Sequence, residues 1–288
     1  MEKPNPNKPN THDTKPSEQL VTRRRAIGLL GCSLAASALA CVAGSGCTFK
    51  PYESHTEPVE VWKSKYNWKA LLENPEGRRF YYPNNTLSSR FGIDVSDFEG
   101  EIDWKTVAQE DIEFVFVRIG YRGYTKGGIF DDAQAQANLK GARANEIPLG
   151  AYFFSSAINA DEAKEEAQYV LDKLNGMVLD YPIVYDQEQV PDSQGRANNL
   201  TSEQYTANAK AFCETVVEAG YQAMIYGNQK HLALLKLSEL SDYPIWYAEY
   251  GVKEPTGHFD FTIWQYSSGG VINGINATTD FNIHFLNA

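Results

Sequence analysis

Eight short runs of β-branched and aromatic residues, separated by longer stretches with helical periodicity, constrain this chain more than any other feature. The runs are FGIDVS (91–96), FVFVRIG (114–120), PLGAYFF (148–154), PIVYDQE (182–188), QAMIYG (222–227), PIWYAEY (244–250), FTIWQYS (261–267) and a last one near Asp280. Strands that all run one way need long crossovers, usually helices, so this alternation specifies an α/β fold with parallel strands. Asn159 followed by Glu162, and Thr201 followed by Gln204, supply the oxygens that open two of the intervening helices. Ala163, Ala167, Val170, Leu171 and Leu174 then share one helical face before Gly176 ends the first helix. After the fifth run the helical stretches shrink, and only about a dozen residues separate the last strands, too few for full β/α units. The pattern therefore predicts an irregular TIM-like β/α barrel with eight strands and incomplete helices in its second half.

The rest of the chain is a different material. Residues 1–47 carry six Lys or Arg and three Asp or Glu, whereas the whole chain has 26 against 37 and a net charge of -11. Residues 1–21 lack the apolar content that would repay ordering. Arg23-Arg24-Arg25 then precedes an uncharged stretch from Ala26 to Ala43. A basic border, an apolar segment and small residues make the layout of an export signal, here of twin-arginine type. The alternative is a retained helix, or a lipid anchor at Cys41 or Cys47, attaching the protein to the membrane. The expected organisation is a leader (1–47), a spacer (48–89) with a short helix around Val61 to Leu72, and a barrel (90–288). The acidic body gives nucleic acid no cationic surface to bind. Cys213 lies in the apolar helical run AFCETVV and reads as a buried small hydrophobe.

In a parallel barrel, functional side chains stand at the C-terminal ends of the strands. Those ends are acidic here: Asp94 closes the first run, Asp186 and Glu188 close the fourth, and Asp280 lies at the last. Residues two apart on a strand project from the same face, about 6.6 Å from each other, so Asp186 and Glu188 share one rim. Carboxylates crowded in a partly dehydrated cleft cannot all ionise cheaply, and an acid kept protonated beside ionised ones can break a glycosidic bond. The same acids would also suit helix capping or a hard cation. Aromatic residues near strand ends can stack on sugars, and Tyr152, Tyr226, Trp246 and Trp264 are the candidates, with Gln265 and Tyr266 as hydrogen-bonding neighbours.

Taken in order, FGIDVSDFEGEIDW, FVRIGYRGYTKGG, GAYFF, YPIVYDQE, MIYGN, PIWYAEYG, IWQYSSGG and INGINATTDFN resemble the family 25 glycoside hydrolases, bacterial and phage-type lysozymes that act as N-acetylmuramidases. The resemblance runs from about Arg90 to the C-terminus and implies an irregular β/α barrel. It implies Glu188 as general acid, Asp186 as the group that stabilises positive charge or orients the substrate's acetamide, and Asp94 and Asp280 as completing the carboxylate ring. The implied partner is the peptidoglycan glycan strand, met outside the cytoplasmic membrane by a secreted or tethered enzyme. Many relatives have Gln or Asn before the glycine that follows GIDVS, whereas this chain has Glu99-Gly100. That puts another acid at the site or turns it to solvent.

Other chemistries lack their residues. The histidines at 12, 55, 231, 258 and 284 show no zinc-binding spacing and read as structural or surface residues, and the glycines of GYRGYTKGG lack the Lys-Ser/Thr ending of a phosphate loop. No metal or other cofactor is expected. Two further readings stand beside a muramidase: a non-catalytic cell-wall glycan-binding module, and a chitinase-like barrel glycosidase, whose longer acidic strand motif is represented here by its last two acids alone.

Overall fold

Each of the eight expected runs is a strand in the computed structural model, which describes residues 62–286. The leader, with its arginines and Cys32, Cys41 and Cys47, lies outside the described residues. In chain order the strands are β1 (Leu71–Glu73), β2 (Arg79–Tyr81), β3 (Ser89–Val95), β4 (Phe114–Arg122), β5 (Ile129–Asp131), β6 (Leu149–Ser155), β7 (Ile183–Gln187), β8 (Ala223–Asn228), β9 (Ile245–Ala248), β10 (Ile263–Gly270) and β11 (Thr279–Phe285). The α-helices are α1 (Trp104–Val107), α2 (Ala135–Ala144), α3 (Ala160–Leu174), α4 (Ser202–Glu218) and α5 (Gln229–Leu232). Strands β3, β11, β10, β9, β8, β7, β6 and β4 pair in that order, and β3 pairs with β4 to close an eight-stranded barrel. β5 forms a hairpin with β4 at the edge of that barrel.

The two long helices begin where their capping residues lie. The Asn159 side chain accepts from the Glu162 amide to open α3, and the Thr201 hydroxyl accepts from the Gln204 amide to open α4. The second half is thinner, since α5 has four residues and no α-helix lies between β9 and β10.

Of the eight barrel strands, one departs from the parallel pattern. β11 runs antiparallel to both β10 and β3. The segment between β10 and β11 contains no helix to carry the chain back across the barrel, so it makes a hairpin-like return. Asp280 consequently opens its strand at the same rim where Asp94 ends β3, and the two are register partners.

Residues 62–88, expected as a spacer with a short helix, form a 3-10 turn at Trp68–Ala70 and the β1–β2 hairpin. They are folded onto the barrel: Tyr66 and Tyr81 are buried, and the Tyr66 hydroxyl donates to the Phe261 carbonyl at 2.5 Å. Trp68 and Arg79 cover the rings of Phe261 and Trp264. An aromatic helix-like pattern was read there because burial against β10 and β11 is not visible in local periodicity.

The strands bury both faces, as a barrel wrapped by helices requires. Phe114, Phe116, Val184, Met224, Tyr226, Trp246 and Ile263 pack together inside. Val115, Val117, Ile183, Tyr185, Tyr247 and Trp264 face outward and join the helical residues Leu139, Ala167, Val170 and Phe212. Glycines make the interior fit: a Cβ on Gly92 would lie 2.5 Å from the Phe114 ring, and one on Gly150 would lie 2.3 Å from the Phe116 ring. Small residues on one strand thus admit large ones from the next.

Candidate active site

At the C-terminal rim, inward residues of neighbouring strands form a hydrogen-bonded carboxylate cluster. The Asp94 Oδ2 accepts from Gln265 Nε2 at 2.7 Å and from Asn282 Nδ2 at 2.8 Å. Gln265 Nε2 also donates to Asp280 Oδ2 at 2.9 Å, so one amide bridges the two acids. The orientation of that amide is fixed from its other end, where the hydroxyls of Tyr226 and Tyr250 donate to Gln265 Oε1 at 2.7 and 2.5 Å. Trp246 Nε1 donates to Asn282 Oδ1 at 2.8 Å and so orients the second amide.

Burial, and next the adjacent Asp280 carboxylate, push Asp94 well above the usual carboxylate range, against the opposing hydrogen bonds from Asn282 and Gln265. The Asp94–Asp280 pair therefore retains a proton where isolated aspartates would have lost theirs. Tyr152, half-buried on β6, is held as a neutral phenol by burial and by the charges of Asp94, Asp186 and Glu99, with Arg118 acting the other way. Its phenol thus senses acids from β3, its 3-10 extension and β7 at once.

Asp186 is the last inward residue of β7 and is buried, and Glu188 follows just past the strand end. The intervening Gln187 points outward, with its Nε2 donating to the Ala157 carbonyl at 2.7 Å. Glu188 Oε2 lies 3.3 Å from Nδ1 of His231, a buried residue of α5. The Gln189 amide donates to the other ring nitrogen, Nε2, at 3.1 Å. Nε2 is thereby the acceptor, which assigns the proton of the neutral ring to Nδ1, facing Glu188.

Among the expected sugar-contacting residues, Tyr152, Tyr226, Trp246 and Gln265 are gathered with the acids. Trp246 is only 1% exposed and stacks on Phe116 at 4.6 Å, so it walls the cluster and offers no open ring face. Trp264 and Tyr266 are not in this group. They lie on the outward face of β10, where Trp264 Nε1 donates to the Glu249 carbonyl and the Tyr266 hydroxyl accepts from the Arg79 amide. Alternation along β10 puts them opposite Gln265, and both are buried under the β1–β2 segment. Glu99 neither joins the acids directly nor points to solvent. It folds back as the third residue of a capping box, accepting from the Ser96 amide at 2.7 Å, within electrostatic reach of Asp94.

Sequence reasoning passed over Asn282, Tyr250, Arg118 and His231. Asn282 was discernible as a polar residue two positions from Asp280, hence on the same face of its strand, and Arg118 as a cation inside FVFVRIG. His231 carried no signal, because its partner lies 43 residues away. Among the described residues no group of three His, Cys, Asp or Glu side chains is placed to hold a metal ion, and no helix is long and apolar enough to cross a membrane.

Comparison with known proteins gives this geometry a family context. The family described as Glycosyl hydrolases family 25 matches residues 93–275. The autolytic lysozyme of Clostridium acetobutylicum is 24% identical over 191 residues, 66% of this chain and 54% of that protein. Lysozyme M1 of Streptomyces globisporus is 27% identical over 208 residues, 66% of each chain. In structure, the modular autolysin LytC of Streptococcus pneumoniae, solved with a synthetic peptidoglycan ligand, superposes with a TM-score of 0.63 at 24% identity, over 75% of this chain and 52% of that one. A family 25 glycosyl hydrolase from Bacillus anthracis gives 0.60 at 21% identity, over 69% and 90%. The chain thus spans about half the length of the clostridial and streptococcal relatives.

Proposed function

This chain belongs to glycosyl hydrolase family 25, and on that premise we propose that it hydrolyses peptidoglycan as an endo-acting N-acetylmuramidase. The bond cut is the β-1,4 link between N-acetylmuramic acid and N-acetylglucosamine. The observation that carries this reading is the carboxylate rim itself: Asp94 and Asp280 in register across the barrel closure, facing Asp186 and Glu188 at the end of β7.

Glu188 is the general acid. It sits past the strand end, where the glycosidic oxygen can reach it, and it gives its proton to that oxygen as the bond to the anomeric carbon breaks. Asp186, deeper in the barrel, answers the positive charge that develops on the sugar or aligns the acetamide that attacks it. Water then adds to the anomeric carbon while Glu188 takes back a proton, so the catalyst is regenerated. His231 acts through Glu188: its ring, anchored by the Gln189 amide and with Nδ1 3.3 Å from the carboxylate, holds that side chain in position. Asp94, Asp280, Gln265 and Asn282 make a fixed hydrogen-bonded wall against which Tyr152 and the substrate are held.

Residues 1–47 remain part of the proposal as an export leader or anchor, placing the barrel outside the cytoplasmic membrane where its substrate lies. Support comes from the twin-arginine-like border and from relatives named as an autolytic lysozyme and a lysozyme.

The test is digestion of purified peptidoglycan by the full chain, with analysis of the new reducing ends. Muramic acid at those ends is the expected product. N-acetylglucosamine there would indicate the chitinase-like cleavage pattern, and saturable binding with no new ends would indicate a binding module. If Glu188→Gln releases ends as fast as the wild type, the assignment of the acid is wrong.

A further inference from the structure

We propose that Phe98, Tyr121 and Phe130 form a shelf that binds an uncharged N-acetylhexosamine ring of the glycan strand, away from the bond that is cut. This deepens the peptidoglycan reading above and rests on it.

The shelf begins beside the acids. Phe98 sits in the 3-10 turn Asp97–Glu99 that follows β3, the strand of Asp94, and the Ser96–Glu99 capping box fixes that turn. It is nevertheless 72% exposed. Its ring lies 4.9 Å from the guanidinium carbon of Arg118, which in turn lies 5.6 Å from the Tyr121 ring. Tyr121 stacks on Phe130 at 5.5 Å with the rings 26° apart, and the two are register partners across the β4–β5 hairpin. Phe130 is 51% exposed. Aromatic surface therefore continues outward from the catalytic rim along β5.

What holds the rings is rigid. Arg118 is 9% exposed, with Nε donating to Asp132 at 2.8 Å and Nη2 to Asp97 at 2.5 Å. The Asp97 amide also donates to Asp132, at 2.9 Å, which ties the Phe98 turn to the start of α2. A buried, doubly paired guanidinium is a firm backing for two ring faces. Among the described residues Phe98 and Phe130 are the phenylalanines left exposed, and large apolar rings held in water mark a contact surface.

The chemistry of the shelf selects a sugar over a peptide. Pyranose rings present C–H faces that pack on aromatic rings. The stem peptides of peptidoglycan carry carboxylates, and the charge of Arg118, the cation under these rings, is already met by Asp97 and Asp132. An N-acetylglucosamine ring has no charge to desolvate.

Binding is best read without turnover, in the full chain carrying Glu188→Gln, by calorimetry against peptide-free glycan tetrasaccharides and octasaccharides. The parent should bind the octasaccharide more tightly. Phe98→Ser and Phe130→Ser, both surface changes, should each weaken octasaccharide binding by about fivefold while tetrasaccharide binding changes little. Val178→Ser, an equally exposed apolar position (76%) in the loop entering β7 at the other end of the barrel, should keep the full length effect. The proposal is overturned if both Phe variants retain the parent's gain with length, or if that gain appears only with stem peptides attached. These outcomes are separate from the failure of the hydrolase reading, which would show as a wild type that releases no reducing ends.

Discussion

The two ends of the barrel interior are built from the same strands and do opposite things. At the N-terminal end Phe114 stacks on Tyr181 at 4.7 Å, and the Tyr181 hydroxyl meets His284 Nδ1 at 3.1 Å. Burial, and then Arg90, lower His284 to about 4, so the ring is neutral. At the C-terminal end the same desolvation acts on Asp94 and raises it. One end excludes a positive charge and the other a negative one, because the barrel floor withholds water from both. The lesson is that the reactivity of the upper layer depends on how well the lower layers pack.

The comparison breaks most visibly at Glu188. Glu188→Gln should lower kcat by about a thousandfold, a typical loss for a general acid, with the midpoint of thermal unfolding nearly unchanged. Phe116→Ala should do the reverse. Removing a fully buried ring that stacks on Trp246 should cost about 3–5 kcal/mol in denaturant unfolding, and any loss of rate per folded molecule would then report how far the floor supports the acids.

The pH dependence of stability separates the two ends next. His284 takes up its proton near 6.5 when unfolded and near 4 when folded, so its contribution is complete above 6.5 and is lost as pH falls towards 4. The loss should be about 3 kcal/mol and absent in a variant with a neutral side chain at that site, such as His284→Gln. Asp94 has the opposite sense: its folded-state preference for the proton makes stability decline as pH rises above the usual 3.8. Asp94→Asn should therefore gain in melting temperature over the wild type as pH increases towards neutrality, while losing about a hundredfold in activity. Equal pH slopes for wild type and variant would show that Asp94 ionises freely.

The smallest effect is expected at His231. His231→Ala should reduce kcat by about tenfold, since the Glu188 carboxylate would lose the ring 3.3 Å away that positions it. His231→Asn, whose side-chain amide can also donate, should restore part of the rate. Equal rate losses in the two variants would leave His231 a packing residue only.

Much of this arrangement was legible in the chain. Strands such as FVFVRIG and PIVYDQE announce themselves by composition, and acids at their ends mark the rim once a barrel is assumed. The facing of β10 was not legible: Ile263, Trp264, Gln265 and Tyr266 are all buried, so alternation gave no contrast between inside and outside. Gln265 was the usable cue, since a fully buried amide needs partners and the carboxylates of the interior provide them. The packing of residues 62–88 was illegible for a related reason, as Tyr66, Trp68 and Tyr81 meet the barrel only through contact with residues about 200 positions later. His231 meets Glu188 through the short α5, a tertiary coincidence of two loops that no local pattern encodes.

The antiparallel β11 also ties the acid cluster to closure of the barrel. Asp94 and Asp280 meet across the seam where the first and last barrel strands join, 186 positions apart. A nascent or truncated polypeptide ending before β11 already holds Glu188 and Asp186, yet it has neither the paired aspartates nor Asn282, and Gln265 has nothing to bridge. Closing so long a loop is a late event in folding. On the proposed function, a fragment that stops before β11 should therefore release no reducing ends from glycan.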